Sequence, residues 1–159
     1  MTRIFFVTLI IAVMLFIGCS DSGKPSDLPE LYRCTITITQ EGKPLSGAIV
    51  EFISEDTNNK KYTPVQHTDS NGTALMSTYG YIGVPAGKYK IIVTKNIEDE
   101  TTIQNKETGE NIIVGGQKYQ MVESIYSDIK TTPLEIEVNS KNTKQTFDVG
   151  KAVKLAVSG

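Results

Sequence analysis

Two hydrophobic patterns divide the chain. From Ile4 to Ile17 (IFFVTLIIAVMLFI) every residue is apolar except Thr8. From Leu31 onward, apolar positions recur every second residue. Cys34, Ile36 and Ile38 alternate with Thr35, Thr37 and Thr39, which predicts a half-buried strand rich in β-branched residues. Ala48, Val50 and Phe52 share a face in a second strand over 48–53. A third strand over 62–68 is demoted toward a sheet edge by Pro64. Asp69-Ser70-Asn71-Gly72 predicts a hairpin, because Asn-Gly tolerates the positive φ of a type I′ turn. Thr73–Thr78 follows, with Ala74 and Met76 on one side, and then a glycine-rich bend over 79–88. Tyr89, Ile91 and Val93 face inward in the next strand. Leu134–Val138 alternates cleanly, and Gln145–Val149 closes the domain with Phe147 and Val149 inward. Val153, Leu155 and Val157 either extend this strand past Gly150 or fray. The segment 96–129 is less regular, and within it 112–114 and 118–122 predict a small hairpin. No segment holds a sustained helical period. Short strands separated by frequent turn signals predict an all-β, antiparallel sandwich or barrel.

The apolar run near the start is of a different kind. At ~1.5 Å per residue it makes about 21 Å of helix, short of the ~30 Å hydrocarbon core of a bilayer. Arg3 precedes it, and the polar stretch Ser20–Pro25 follows at once. This is the pattern of a signal-peptide h-region. Leu15-Phe16-Ile17-Gly18-Cys19 resembles the lipobox of a bacterial lipoprotein signal, with Phe16 where that family usually has Leu. The resemblance implies that the Cys19 thiol is acylated, that 1–18 is cut away, and that Cys19 becomes the first residue. A thiol forms a stable thioether, and a small residue before it leaves the bond accessible. Without the cysteine, the run would read as an ordinary signal peptide or a single-span anchor. Ser20 after Cys19 resembles outer-membrane sorting in some two-membrane bacteria. The segment 19–30, with two prolines and a glycine, reads as a flexible tether carrying the lipidated cysteine, and 31–159 as the folded domain with an insert at 96–129.

Composition narrows the function classes. Of 159 residues, sixteen are Lys or Arg and eighteen are Asp or Glu, a net charge of -2. Removing 1–18 takes away Arg3 alone, so the processed chain is slightly more acidic. Such a surface does not steer toward nucleic acid, and that partner class is excluded from the reading. One His and two Cys supply neither a multi-histidine metal site nor a disulfide framework. About 125 residues suffice to bury a core without disulfides.

Three stretches resemble the carboxypeptidase regulatory-like, transthyretin-like β-sandwich found in small bacterial lipoproteins. They are Gly42-Lys43-Pro44-Leu45-Ser46-Gly47-Ala48-Ile49-Val50, Thr68-Asp69-Ser70-Asn71-Gly72-Thr73-Ala74-Leu75, and Val84-Pro85-Ala86-Gly87-Lys88-Tyr89-Lys90-Ile91-Ile92-Val93. A weaker fourth runs from Tyr126-Ser127-Asp128 to Thr132-Pro133-Leu134. Together they span most of 32–149. The resemblance implies a seven-stranded antiparallel Greek-key sandwich. These stretches make turns and launch strands. They carry no chemistry, so the fold leaves the function open.

Candidate chemistry is sparse. His67 has no sequence partner for catalysis or metal binding. Cys34 shares the phase of Ile36 and Ile38 and reads as a small buried hydrophobe. Tyr62, Tyr79 and Tyr81 form a possible cluster, either packing a loop or presenting a glycan- or protein-binding face. Asp69, Asp128 and the run Glu98-Asp99-Glu100 lack the spacing of a calcium loop. The purine-pathway hydrolases of the transthyretin-like fold end in Tyr-Arg-Gly-Ser, and this chain ends Lys154-Leu155-Ala156-Val157-Ser158-Gly159. Related pilin-type domains form a Lys–Asn isopeptide bond from a first-strand Lys, where this strand has Thr and Cys. The expectation is a non-enzymatic envelope lipoprotein with no catalytic residue, cofactor or metal. Membrane lipid is its partner through Cys19, with specificity in 96–129. Three rival readings are an accessory to a separate envelope enzyme or transporter, an enzyme with an unrecognised site, and a structural repeat unit that self-associates through an edge strand.

Overall fold

Period-two alternation builds the centre of the molecule. A computed structural model describes residues 25–139, 141 and 143–157. The leader 1–18 and Cys19 lie outside the described residues. Leu31–Tyr32 (β1) opens the domain, and Cys34–Gln40 (β2) follows with Cys34, Ile36 and Ile38 completely buried. After a tight turn come Lys43–Pro44 (β3) and Ile49–Ser54 (β4), with Ala48, Val50 and Phe52 inward. Val65–His67 (β5) is an edge strand of three residues, as Pro64 predicts. Thr73–Leu75 (β6), Ser77–Thr78 (β7), Tyr81–Ile82 (β8) and Val84–Pro85 (β9) are short pieces leading to Gly87–Thr94 (β10), the longest strand. Tyr89, Ile91 and Val93 of β10 are buried.

The strands form two main sheets. In one the order is β15-β10-β4-β5, where β15 is Glu135–Val138. In the other β2 is central, with β16 (Thr143–Asp148) on one side and β3 and β6 on the other. The inward side chains of both sheets make one cluster, from Ile36 and Ile38 through Val50, Phe52, Tyr89 and Ile91 to Ile136 and Val138. Phe52 and Tyr89 meet with ring centroids 5.6 Å apart. Burying each such side chain contributes roughly 1.5–3 kcal/mol. Val149 is fully buried and Phe147 packs at the margin of the cluster, as their spacing predicts. Among the described residues the fold is all-β, with a single helical turn, α1 (Ser124–Ser127).

Three expectations are corrected. The sheets are not wholly antiparallel, because β16 runs parallel to β2, from Thr143 beside Cys34 to Asp148 beside Thr39. Asp148 closes that pairing: its carboxylate accepts from the Thr39 hydroxyl at 2.8 Å and from the Gly42 and Gly150 amides, each at 2.9 Å. The Asp69–Gly72 turn does not make a hairpin. Its flanking strands belong to different sheets, β5 to β4 and β6 to β2. Only Gly72 has positive φ there, and a Cβ on it would sit 2.4 Å from the Ile38 carbonyl oxygen. The Asp69 carboxylate caps the turn by accepting from the Asn71 and Thr73 amides. The type I′ geometry appears instead at Tyr79–Gly80, both at positive φ, between the paired residues Thr78 and Tyr81.

The third correction concerns 96–129. Residues 112–114 do not pair with 118–122. Asn96–Glu98 (β11) pairs Lys118–Gln120 (β14), and beyond it Thr101–Gln104 (β12) pairs Asn111–Val114 (β13). The insert is thus one long hairpin in two successive ladders. Leu155–Ala156 (β17) joins the inner ladder beside β14, so this part of the tail neither extends β16 nor frays.

Candidate functional site

The register of the sheet around β10 defines two ends. Gly87 lies beside Val138, and Tyr89 beside Ser54, at one end. Thr94 lies beside Ile49 at the other and leads directly into the hairpin 96–120. The candidate residues divide between these ends.

At the Gly87 end the described part of the expected tether lies against the domain. Leu28 is buried. Asp27 pairs with Lys61, and the Tyr62 hydroxyl donates to the Asp27 carbonyl. The Tyr32 hydroxyl donates to Glu30, and Leu31 pairs with Pro85. The hydrogen bond from Lys61 holds the Asp27 carboxyl below its ordinary range, and Glu30 raises the Tyr32 phenol. Two of the three candidate tyrosines meet here. Tyr62 is buried, and its ring lies edge-on to Tyr79 with centroids 5.9 Å apart. Tyr79 is 57% exposed in the turn of the β7–β8 hairpin, and Ile82 is 59% exposed on β8 beside Ser77. Tyr81 is half-buried in that hairpin.

At the other end, β12 and β13 project as an arm. Every residue of the two strands is exposed except the half-buried Val114. Ile103 faces Ile112 across the pair, and both share a face with Val114; Ile113 lies on the opposite face. No strand residue of the arm is charged or proline. Its tip is shaped by Asn105, whose side chain accepts from the Glu107 amide, and by Gly109 at positive φ. The base is pinned by charge. Asp99 receives the Lys154 ammonium at 3.0 Å, and Glu98 lies 4.0 Å from Lys118. Lys154 also sits 4.1 Å from the Tyr119 ring centroid. A Cβ on Gly116 would fall 1.3 Å from the Asp99 carbonyl oxygen, so the base closes only on a glycine. The expected solvated run Glu98-Asp99-Glu100 therefore includes two residues that hold the arm to its root. The exposed isoleucines and the Lys154 contact escaped the sequence reading. A four-residue turn ending in glycine between Thr101–Ile103 and Ile112–Val114 is the signal that marks the arm.

The remaining candidates are scattered. His67 is exposed on β5, and Cys34 is buried as a free thiol, pushed up to about 12 by burial. Tyr89 is also raised by burial, and its hydroxyl donates to the Pro85 carbonyl. Asp128 caps its own turn by accepting from the Lys130 amide. An open apolar groove is lined by Ile92, Ile125 and Ile129 where α1 crosses β10. Among the described residues, no three His, Cys, Asp or Glu side chains are grouped to hold a metal ion. Among the same residues, no helix is long and apolar enough to cross a membrane.

No family model matches the chain, and no curated protein matches it. Among solved structures, a 9R-lipoxygenase from Cyanothece aligns with a TM-score of 0.29 at 15% identity, over 81% of this chain and 17% of the lipoxygenase. A likeness of that score carries no argument about fold or activity.

Proposed function

We propose that the protein is a cell-envelope lipoprotein, anchored by acylated Cys19, whose domain is a non-catalytic binding module of the transthyretin-like sandwich type. The two face-to-face sheets with one shared core are compatible with that sandwich. The observation that carries the binding role is the arm. A two-stranded hairpin is marginal on its own in water, and exposed apolar strands without edge charges are surfaces that pair with other chains. Here such a hairpin is held at its base by two ion pairs and displays Ile103, Ile112 and Ile113 at 49%, 43% and 65% exposure. The partner is a protein that presents a strand edge or an apolar strip to this arm.

Two measurements test the two halves. Labelled palmitate is expected to enter the wild-type protein in a bacterial host and not Cys19→Ala; equal incorporation overturns the anchor. Cross-linking from the arm in membranes is expected to capture a discrete partner, and shortening the arm at 101–114 is expected to abolish the capture. A partner retained in full by the shortened protein overturns the binding role of the arm.

A further inference from the structure

The end of the domain that holds 25–30 has a consequence for how the anchored protein sits. An unattached segment 19–30 would let the domain drift about 40 Å from the lipid at ~3.3–3.6 Å per residue. The structure shortens that reach. Leu28 is buried, Asp27 is tied to Lys61 and Tyr62, and Leu31 lies along β9. Only the six steps from Cys19 to Pro25 are left to span the gap, at most about 22 Å fully extended. The headgroup layer itself occupies roughly 5–8 Å of that on each side of a bilayer. The face bearing Pro25 is therefore the face nearest the lipid.

Beside that face, among the described residues, are the two most exposed large apolar side chains outside the arm. Tyr79 stands in the turn of the β7–β8 hairpin, and Ile82 on β8 beside Ser77, just past the pair that closes the turn. The Tyr79 hydroxyl donates to the Lys61 carbonyl at 2.5 Å, and Lys61 is the residue that grips Asp27. The anchor's exit and the hairpin tip are thus adjacent. Tyr79 keeps positive φ and packs on the buried Tyr62. Tyrosine, with an apolar ring and a polar hydroxyl, is enriched at the water–lipid boundary, and an exposed isoleucine beside it adds apolar surface to bury there. The neighbouring loop 55–61 carries Glu55, Asp56, Lys60 and Lys61, and Asp27 and Glu30 lie at the same end, so the contact rests on apolar and aromatic side chains and not on attraction to an anionic surface.

We infer that the β7–β8 hairpin, through Tyr79 in its turn and Ile82 on β8, is a membrane-contact site, seated in the headgroup layer beside the acylated Cys19, so that the arm points away from the bilayer. The inference rests on the anchored reading above. Its geometric basis is the opposition of the two ends of β10: Gly87 on the tether side and Thr94 on the arm side. Eight strand residues separate the ends by roughly 25 Å at ~3.3 Å each.

The chain contains no tryptophan, so a single introduced indole reports its own depth. The full-length acylated protein is reconstituted in phosphatidylethanolamine–phosphatidylglycerol vesicles with brominated acyl chains. Three variants are compared: Ile82→Trp, Tyr79→Trp and, on the arm, Ile113→Trp. All three positions are exposed; Tyr79→Trp gives up the hydroxyl bond to Lys61, and far-ultraviolet circular dichroism checks that each variant keeps the fold. The emission of Ile82→Trp and Tyr79→Trp is expected to shift to the blue and lose most of its intensity, while Ile113→Trp is unchanged. If the vesicles carry the protein on flotation yet none of the reporters is quenched, the contact site is overturned and the anchor stands. Quenching of all three, or of Ile113→Trp alone, overturns the orientation. If the wild-type protein neither floats nor incorporates palmitate, the anchored reading falls and the orientation falls with it.

Discussion

The two ends of the central sheet are stabilised in opposite ways. At the Gly87 end, chain segments remote in sequence are drawn into contact: 25–32, 55–62 and 79–85 meet around Leu28, Tyr62 and Tyr79. At the Thr94 end, β12 and β13 touch mainly each other, and their side chains face solvent. One end has its conformation dictated by burial, the other by a turn at its tip and two ion pairs at its base. Burial is worth kilocalories per side chain, whereas exposed ion pairs contribute about 0–1 kcal/mol. The difference teaches where this fold keeps its rigidity and where it offers a surface for a partner to complete.

The widest separation is expected in hydrogen exchange. Amides of β2, β4 and β10 should open only with global unfolding, at a free energy on the order of 5–15 kcal/mol, while those of β12–β13 exchange through local opening near zero. Equal protection of arm and core, read by mass spectrometry, breaks the comparison. Next in size is truncation. Phe52→Ala is expected to cost about 3–5 kcal/mol in chemical denaturation, while Ile113→Ser stays within roughly 0.5 kcal/mol. A comparable loss for both places the arm in the core.

The glycines sharpen the contrast at smaller scale. Gly72→Ala meets both a positive φ and the Ile38 carbonyl, and should lower stability by well over ~1 kcal/mol. Gly80→Ala meets open space at φ 83°, and should cost only about 1 kcal/mol. Equal midpoints for the two variants in a urea titration contradict the close approach at Gly72.

The smallest effect is electrostatic. The amides of Gly42 and the Thr39 hydroxyl hold the Asp148 carboxyl below its ordinary value. A depressed carboxyl stabilises the fold above its unfolded value, ~3.9, and that contribution disappears as pH falls through the folded value. Asp148→Asn is therefore expected to flatten the loss of stability below about pH 4 while lowering stability at neutral pH. A variant whose stability falls with acid as steeply as the wild type shows that the clasp contributes nothing.

Much of the core was legible because burial and strand pairing impose the same period of two. Cys34, Ile36 and Ile38, and likewise Tyr89, Ile91 and Val93, announce their inward face, and the structure buries all six. Turn chemistry was legible only in part. Asn71-Gly72 has the residues of a type I′ hairpin, yet the Ile38 amide takes the Gly72 carbonyl at 2.8 Å and turns the chain into the other sheet. Tyr79-Gly80, with a poor residue for positive φ, adopts the primed turn because Tyr62 and Lys61 hold the tyrosine in place. The arm's pairing was missed for a similar reason. Gly115-Gly116 looks like a hairpin tip, whereas the real tip is at 105–110 and the glycines mark the junction between two ladders.

The residue pattern alone determined an all-β chain, the identity of its inward faces and the edge position of β5, because each follows from alternation and from what proline can donate. Tertiary structure decided which strands became neighbours, that β16 runs parallel to β2, and that 25–30 folds back onto Lys61 and Tyr62. Those outcomes depend on contacts between residues up to about a hundred positions apart, and local periodicity holds no record of such distances.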